Sequence, residues 1–519
     1  MDMIRKNNPV IYSDFPDPDL IRVGDTYYMA STTMHFMPGC DILRSRDLVN
    51  WELIAHAYDE LENTPAQRMQ QGNIYGRGMW APSLRYHNGT FFLCFVANDT
   101  GKTYLYTAEN PEGPWKKQYI RGFYHDSSLL FDDNGRVYIL YGNTEIRLTE
   151  LSADLSGPKP GGLNRIVAVD RDNVCLGFEG SHLYKRDGKY YAFFCHWPND
   201  GTHRKNQVCF VADSLEGEFR GGCVLDDDLS YHNLGVAQGG MVDTPDGRWY
   251  AFLFQDRGAL GRAPVLVPMH FENNFPVLGE NGRVPAVVSV PAVHADISCA
   301  PLYGSDDFDY HPDADGRVKL KLFWQFNHIP DNRLWSVTER PHALRLHTGS
   351  LCVNPAQARN TLTQRTMGPE SSASVTVDGS RMKDGDVAGI SAFQGCYGCL
   401  ALIRENGRFY LSMTAHPARD GGIGAQKDDA APPVEYERIP AASPQVTLKV
   451  KTVFEDHRDE AAFFYRDGNE WKPIGIVHRL YFKLDHFCGC RFALFLYATH
   501  TIGGSADFMN FQYLYGKNG

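Results

Sequence analysis

Asp187-Gly-Lys-Tyr-Tyr191 is one copy of a short pattern that recurs through the first half of the chain. Each copy has a turn glycine, one or two variable residues, and then two bulky residues that open an apolar run. The other copies are Gly24-Asp-Thr-Tyr-Tyr28, Asn88-Gly-Thr-Phe-Phe92, Asn134-Gly-Arg-Val-Tyr138 and Asp246-Gly-Arg-Trp-Tyr250. Asn-Gly and Asp-Gly followed by strand-forming residues are strong local signals for a β-hairpin. The pattern therefore predicts five hairpins.

The spacing of the hairpins indicates how they are arranged. The turn glycines, at positions 24, 89, 135, 188 and 247, are 65, 46, 53 and 59 residues apart, and no helical periodicity lies between them. One motif repeated in one register at this spacing is typical of a β-propeller, in which each repeat is a four-stranded blade. A β-sandwich is the alternative, but its strands need not share a motif. We predict an all-β fold whose first domain, residues 1–295, is a five-bladed β-propeller.

The register of the repeat also selects five side chains. The residues nine positions before the last four turn glycines, and seven before the first, are Asp17, Trp80, Asp126, Glu179 and Gln238. Each should begin the strand before its hairpin, and if that strand is the innermost of its blade, the five side chains meet at one end of the propeller axis. A single acid there would be read as an ordinary strand-end residue. Three acids at equivalent positions in different blades predict a shared pocket.

Three carboxylates beside an indole favour glycoside hydrolysis. That reaction needs one carboxylic acid to protonate the leaving oxygen and one carboxylate to activate water or attack carbon. A third carboxylate can raise the pKa of the acid, and an aromatic face suits the apolar side of a sugar ring. Metal binding is the rival use of clustered acids, but calcium also requires further oxygen ligands. Motifs of phosphate-binding loops, serine hydrolases and zinc proteases are absent from the sequence.

Composition narrows the range of partners. The 519 residues include 51 Lys and Arg against 62 Asp and Glu, a net charge of −11, and 13% are aromatic. An acidic chain without a basic run is a poor match for nucleic acid and suits an uncharged sugar better. No stretch approaches the roughly 20 apolar residues that span a bilayer, and the N-terminus shows no signal-peptide pattern. We expect no membrane partner and a cytoplasmic location, and a homo-oligomer stays open.

Several segments together resemble one known family. They are Asn8–Ile11, Phe15–Tyr28, Met34–Gly39, Ser45–Trp51, Trp80–Pro82, His125–Leu129 and Glu179–Tyr184. Over nearly its full length the chain resembles glycoside hydrolase family 43, which implies an inverting hydrolase. The resemblance implies that Asp17 is the general base, Glu179 the general acid, and Asp126 the acid that modulates pKa and orientation. Asp19 would point to the same side of its strand as Asp17, so spacing alone does not choose between them, and the resemblance favours Asp17.

Further pocket residues follow from the resemblance. Arg262, after Gly261, resembles a substrate-contacting arginine of the family. Met34 and His35 stand where xylose-specific members often have Phe and an acid, and we interpret them as pocket wall that contacts substrate. Many members place a His near a central cation in the fifth blade, whereas this chain has Gln238 there. We therefore expect Gln238 to be a polar pocket residue, and we expect no required cofactor, while a structural calcium stays open.

The pattern changes near residue 295. The second predicted domain, residues 304–519, includes Trp324–His328 and Trp335–Pro341 and resembles the concanavalin-like β-sandwich appended in one branch of the family. Alternating apolar residues over Val318–Leu322 and Phe409–Met413 predict strands there. The sandwich is expected either to bind sugar itself or to wall the propeller pocket, and a walled pocket would enforce exo action on chain ends.

The resemblance leaves the substrate between two sugars. The segment Gln255–Arg262 favours the arabinofuranosidase branch, and many relatives cleave both α-L-arabinofuranosides and β-D-xylosides. We expect an exo-acting enzyme that releases terminal α-L-arabinofuranose, β-D-xylose or both from arabinoxylan-type oligosaccharides. The alternatives are a non-catalytic sugar-binding propeller, a purely structural scaffold, and a glycoside phosphorylase on the same fold, which would need a basic phosphate cluster beyond Arg262.

Overall fold

The computed structural model describes residues 3–171, 176–291, 299–416 and 429–516. Strands, turns and irregular loops make up nearly all of these residues, together with short 3₁₀ turns at Gly258–Leu260, Pro355–Gln357 and Glu455–His457. No helix in the described ranges is long and apolar enough to cross a bilayer. The predicted all-β class is confirmed.

The first half of the chain is a five-bladed β-propeller. Its strands are β1 (Met3–Asn7), β2 (Asp19–Val23), β3 (Thr26–Ser31), β4 (Phe36–Met37), β5 (Gly39–Ser45), β6 (Trp51–Tyr58), β7 (Met79–His87), β8 (Thr90–Ala97), β9 (Lys102–Ala108), β10 (Lys116–Ile120), β11 (Ser128–Phe131), β12 (Val137–Asn143), β13 (Glu145–Leu151), β14 (Asn164–Val169), β15 (Glu179–Arg186), β16 (Lys189–His196), β17 (Asn206–Ala212), β18 (Arg220–Leu225), β19 (Ala237–Asp243), β20 (Trp249–Asp256), β21 (Arg262–Glu272), β22 (Phe275–Leu278) and β23 (Val287–Pro291). The blades are the antiparallel sheets β2-β3-β5-β6, β7 to β10, β11 to β14, β15 to β18 and β19 to β22, while β1 pairs with β23. The predicted propeller is confirmed.

The strand before each predicted hairpin is the innermost strand of its blade. The inner strands β2, β7, β11, β15 and β19 contact one another in a closed ring, with β19 returning to β2. The five turn glycines have φ between 61° and 83°, and a Cβ at any of them would meet open space. The turns therefore need glycine for its conformation and not for lack of room. Asn88-Gly89 and Asp187-Gly188 have positive φ at both positions, as a type I′ hairpin turn requires.

The second half of the chain is a β-sandwich. Its strands are β24 (Gln325–Asn327), β25 (Trp335–Ser336), β26 (Leu344–His347), β27 (Leu362–Arg365), β28 (Glu370–Asp378), β29 (Asp386–Phe393), β30 (Gly398–Glu405), β31 (Arg408–Ala415), β32 (Val434–Pro440), β33 (Gln445–Val453), β34 (Glu460–Asp467), β35 (Glu470–Pro473), β36 (His478–Arg479), β37 (Arg491–Ala498) and β38 (Ser505–Tyr515). Among the described residues one sheet has the order β32-β31-β30-β29-β37-β27-β24-β4 and the other β25-β26-β38-β28-β33-β34-β35, with β36 beside β34. Strand β4, from the first blade, thus extends a sheet of the sandwich.

The core of the sandwich lies between its two sheets. Strands β29 and β37 are buried along their whole length, and Ile390, Phe492 and Phe508 lie in one apolar cluster. The predicted strand over Phe409–Met413 is part of β31, but the one over Val318–Leu322 was wrong, because that segment pairs with no strand in the described chain. The apolar residues Val318 and Leu320 alternate because they are half-buried against the sandwich core. A segment can be half-buried in this way without pairing with another strand.

The two halves are joined by buried polar contacts. Arg365 of β27 forms an ion pair of 2.7 Å with Asp41 of the first blade, and both side chains are buried. Beside the fifth blade, the backbone N–H of Cys490 donates to the carbonyl of Ala259 at 2.8 Å. These contacts bring the chain before β37 against the end of the propeller where the inner strands begin. The predicted boundary at residue 295 lies outside the described residues, and the predicted domain limits stay a prediction.

Candidate active site

The five residues selected by the repeat lie at one end of the inner strands. Glu179 opens β15, and Trp80 and Gln238 are the second residues of β7 and β19. Asp17 and Asp126 lie two residues before β2 and β11, because their positive φ values of 51° and 47° interrupt the extended backbone. Gln238 has φ of 68°. Such conformations cost about 1–3 kcal/mol per residue and cluster at functional sites.

The structure explains why Asp17 lies seven residues before its turn glycine and Trp80 and Glu179 lie nine before theirs. Gly24 is the first residue of its turn, whereas the glycines of the second and fourth hairpins are the second, which accounts for one residue. A register shift follows Trp80 in β7 and Glu179 in β15, whereas β2 pairs with β3 without one, which accounts for the other. Asp17 is therefore equivalent to Trp80 and Glu179 in the propeller, although its spacing differs.

Asp17 is buried between a cation and an amide. Nη1 of Arg262 donates to both carboxylate oxygens, at 3.0 and 3.2 Å, and Nε2 of Gln238 donates to Oδ1 at 3.1 Å. Burial raises the pKa of Asp17, the Arg262 guanidinium opposes this rise, and the charge of Asp126 adds to it. The structure thus places Asp17, Gln238 and Arg262 in one cluster, and their predicted roles stay predictions.

Asp19, the alternative to Asp17, lies deeper between the inner strands. Its Oδ2 accepts from Nη1 of Arg85 at 2.6 Å and from the backbone N–H of Leu84 at 2.7 Å. Its Oδ1 lies 3.6 Å from Nε2 of His182. The carboxylate is 1% exposed, so its partners are groups of the inner strands and not substrate. The two acids that sequence spacing leaves equivalent thus have different surroundings, and Asp17 is the one beside Arg262.

Asp126 and Glu179 lie on either side of an imidazole. Nε2 of His125 is 3.7 Å from Oδ1 of Asp126 and 3.9 Å from Oε2 of Glu179. The backbone N–H of Gly180 donates to Oδ2 of Asp126 at 3.1 Å. Burial raises the pKa of Asp126, and the charge of Glu179 adds to this, against the effect of His125. The Asp126 carboxylate raises the pKa of His125 to about 9, which favours the protonated form of this imidazole.

Sequence reasoning missed the second partner of Glu179. Nδ2 of Asn143, at the end of β12, donates to Oε2 of Glu179 at 2.6 Å. His125 was also missed as a site residue, although it directly precedes Asp126 in a motif that carried the family resemblance. Asn143 had no comparable signal, because it belongs to a second strand of its blade and lies outside the repeated register.

His125, Asp126 and Glu179 also offer ligand atoms for a cation. Among the described residues, one ligand atom each from His125, Asp126 and Glu179 lie within 4.8 Å of one another. One imidazole and two carboxylates fall short of the six to eight oxygens that calcium takes. One of the three groups, Glu179, is also the general acid that the family resemblance implies.

Trp80 faces an aromatic residue supplied by the sandwich. Its ring lies 5.4 Å from the ring of Phe487 and 6.1 Å from that of His125. Cζ of Arg262 is 4.4 Å from the Phe487 ring centre, and Nη2 of Arg262 donates to the Phe487 carbonyl at 3.4 Å. Sequence reasoning allowed the sandwich to wall the pocket but did not find Phe487, which lies more than 200 residues from the propeller residues it touches.

Met34 and His35 lie in the protein interior. Met34 is 2% exposed, and its carbonyl accepts from the backbone N–H of Met79 at 3.2 Å. The His35 ring is fully buried and lies 5.0 Å from that of His328 in the sandwich. Burial lowers the pKa of His35, and two neighbouring histidines, His328 and His486, lower it further. Their predicted contact with substrate stays a prediction.

Comparisons with known proteins extend over both halves of the chain. Residues 6–276 match the family model "Glycosyl hydrolases family 43", and residues 313–514 match "Beta xylosidase C-terminal Concanavalin A-like domain". The chain is 27% identical to a beta-xylosidase of Formosa agariphila, over 98% of this chain and 90% of that protein. It is 30% identical to a non-reducing end alpha-L-arabinofuranosidase of Bacteroides ovatus, over 65% of this chain and 64% of that protein. A solved structure described as bifunctional GH43-CE of Bacteroides eggerthii is 44% identical with a TM-score of 0.89, and the match spans 99% of this chain but 64% of that one.

Proposed function

Because the chain belongs to glycosyl hydrolase family 43 and is therefore an inverting glycoside hydrolase, we propose that it removes terminal α-L-arabinofuranose, β-D-xylose or both from the ends of arabinoxylan-type oligosaccharides. One observation carries the proposal: Asp17, Asp126 and Glu179, from three different blades, meet at one end of the inner strands beside Trp80. The relatives named beta-xylosidase and alpha-L-arabinofuranosidase support the two sugars.

Asp17 is proposed as the general base. In an inverting reaction one carboxylate deprotonates a water that attacks the sugar from the face opposite the leaving group. The base must be ionised, and burial works against ionisation of Asp17. Arg262 and Gln238 favour the carboxylate, because both donate hydrogen bonds to it. Their geometry also fixes the direction in which the free lone pairs of the carboxylate point.

Glu179 is proposed as the general acid. It must protonate the leaving oxygen, and its carboxyl group should lie about 6.5–9.5 Å from that of the base so that a water fits between them. Asn143 holds Oε2 of Glu179 at 2.6 Å. The backbone N–H of Gly180 fixes the carboxylate of Asp126. Asp126 and His125 are the charged groups next to the general acid, so they determine the electrostatic potential at its carboxyl group.

The walls of the site support exo action. Phe487 and Trp80 have their rings 5.4 Å apart, and Arg262 lies against the Phe487 ring. The sandwich thus adds an aromatic side to a site whose other groups come from the propeller. A site closed on this side admits the end of a chain better than its middle, and an aromatic face suits the apolar side of a terminal sugar.

The test compares aryl α-L-arabinofuranoside with aryl β-D-xyloside and follows the first sugar released by proton NMR. We expect hydrolysis of at least one substrate, with release of the anomer of inverted configuration. Asp17→Asn should lose activity on every leaving group, and Glu179→Ala should keep most activity where the leaving group is good, because general-acid help matters least there.

The matched control is Asp133→Asn, at an exposed acid on the β11–β12 hairpin, which should behave as wild type. Retained configuration in the product would contradict the mechanism. Equal loss by Glu179→Ala on good and poor leaving groups would contradict the role of Glu179.

A further inference from the structure

A buried carboxylate joins the fifth blade to the sandwich beside the site. Oδ1 of Asp14 accepts from the backbone N–H of Arg262 at 2.8 Å, and Oδ2 accepts from the backbone N–H of Gly489 at 2.7 Å. Asp14 is 5% exposed. Its two oxygens therefore bind main-chain groups that lie more than 200 residues apart in the sequence.

The three chain segments meet without spare room. A Cβ at Gly261 would lie 2.3 Å from Oδ1 of Asp14. A Cβ at Gly489 would lie 2.1 Å from the carbonyl oxygen of Leu260 and 2.6 Å from Cβ of Asp14. Real Cβ atoms do not approach a backbone oxygen as closely as the one at Gly489 would, so this position requires glycine for the close approach. Gly261 has φ of 100°, a conformation that favours glycine, and a Cβ there would also displace the Asp14 carboxylate. The separation of the blade from the sandwich loop is thus fixed at Asp14.

Each donor to Asp14 is next to a group of the site. The side chain of Arg262 binds Asp17, and Phe487, two residues before Gly489, faces the Trp80 ring and the Arg262 guanidinium. The carboxylate of Asp14 therefore sets where the main chain of Arg262 lies relative to the main chain that carries Phe487.

We propose that Asp14 is a positioning residue, which holds Arg262 and Phe487 in the mutual geometry that binds the terminal sugar. The inference rests on the proposed function, because it assigns a substrate-binding role to that same site. Other contacts keep the sandwich loop docked when Asp14 is changed. Cys490 donates to the Ala259 carbonyl, and Nε2 of Gln394 donates to the carbonyls of Ala259 and Cys488.

The first variant is Asp14→Asn, which keeps the shape but has one acceptor oxygen, so that its NH₂ group faces one of the two N–H donors. We expect KM for the preferred aryl glycoside to rise by about 10- to 100-fold, because a displacement of about 1 Å in the groups that position a substrate can cost about 10²-fold, with a smaller fall in kcat. The control is Asp47→Asn, whose buried carboxylate accepts from the backbone N–H groups of Val49 and Asn50. Asp47→Asn weakens only a structural hydrogen bond, so it should lower the fraction of folded protein and hence the apparent kcat, while KM stays unchanged.

The deciding measurement is a double-mutant cycle with Phe487→Ala. If Asp14 acts through the loop that carries Phe487, the double variant should have nearly the KM of the worse single variant. Independent, multiplying effects on KM would overturn the inference, as would an unchanged KM in Asp14→Asn. Should Asp14→Asn fail to fold, Asp14→Ser, whose smaller side chain places no NH₂ group against the two N–H donors, replaces it in the cycle, and failure of both to fold would mean that the contact is only structural. A wild-type protein inactive on both glycosides would instead overturn the proposed function.

Discussion

Nη1 of Arg262 lies 3.0 and 3.2 Å from the two carboxylate oxygens of Asp17. The guanidinium opposes the effect of burial and of Asp126, which both raise the pKa of Asp17. We predict that Arg262→Met raises this pKa further and moves the acid limb of the kcat/KM profile to higher pH. The value of kcat/KM on the plateau should fall by about 10- to 150-fold, as expected for a lost hydrogen bond to a charged group. Initial rates from pH 4 to pH 9 measure both effects.

The control for this prediction is another buried arginine of the same blade. The guanidinium of Arg257 lies over the ring of Tyr231 at 3.9 Å, so Arg257→Met should leave the acid limb where it is in the wild type. An acid limb that stays in place in Arg262→Met would show that Asp17 is not the group that titrates there.

A second prediction concerns Asp126 and stability. A buried carboxyl with a raised pKa stabilises the fold while it is protonated, and this contribution is lost as pH rises from the ordinary value of 3.8 through the raised one. Asp126→Asn has no such loss and can still accept from the backbone N–H of Gly180. Its thermal midpoint relative to wild type should therefore be higher at pH 7.5 than at pH 4, while kcat falls by about 10²-fold through misplacement of the acid.

Thermal unfolding of both proteins at these two pH values measures the stability effect. A midpoint of Asp126→Asn relative to wild type that is lower at pH 7.5 than at pH 4 would contradict the raised pKa of Asp126. Asp133→Asn is again the control, since its exposed carboxylate should give the same difference at both pH values.

A third prediction concerns metal removal. Gln238, at the fifth-blade position of the repeat, donates its amide N–H to Asp17, and the described cluster that could bind an ion, His125, Asp126 and Glu179, includes the proposed general acid. We predict that dialysis against EDTA leaves kcat/KM within about twofold of a mock-dialysed sample, and that added calcium changes nothing. A loss of activity that calcium restores would show that the site uses a bound ion.

Sequence reasoning found the residues that the repeat constrains. A closed propeller gives each blade the same register, so the positions before the turn glycines converge on the axis whatever the loops do. Asp126, Glu179 and Gln238 were located in this way. Asp17 lies at the equivalent position although its spacing differs, in part because β2 lacks the register shift that β7 and β15 have. Whether a strand has such a shift depends on its pairing, which the sequence does not display.

The contacts that complete the site had no periodic signal. Asn143 reaches Glu179 from a different strand, and Phe487 and Gly489 come from the sandwich. Their positions depend on how the propeller and the sandwich pack against each other, to which buried contacts such as Arg365 with Asp41 contribute. The sequence around either residue of such a contact does not indicate its partner. Residues of this kind can therefore be predicted only from a family resemblance or found in the structure.

The last prediction tests the ring that holds the inner strands together. Arg85 of β7 donates to Oδ2 of Asp19, to the carbonyl of Leu129 and to Oγ of Ser128, at 2.6 to 2.7 Å, and so joins three inner strands. Arg85→Met leaves Asp19 as a buried, unpaired charge, which we expect to cost about 3–5 kcal/mol of unfolding free energy. Chemical denaturation measures this cost, while KM of the folded protein should not change.

The matched variant is Arg136→Met, at a half-exposed arginine whose ion pairs with Glu150 and Glu216 are each 3.8 Å long; it should cost less than about 1 kcal/mol. Adding Asp19→Asn to Arg85→Met removes the unpaired charge, so the double variant should be more stable than Arg85→Met alone. A double variant whose loss equals the sum of the two single losses would mean that Arg85 and Asp19 stabilise the propeller independently. In that case the ring would owe its stability to the apolar faces of the blades and not to this ion pair.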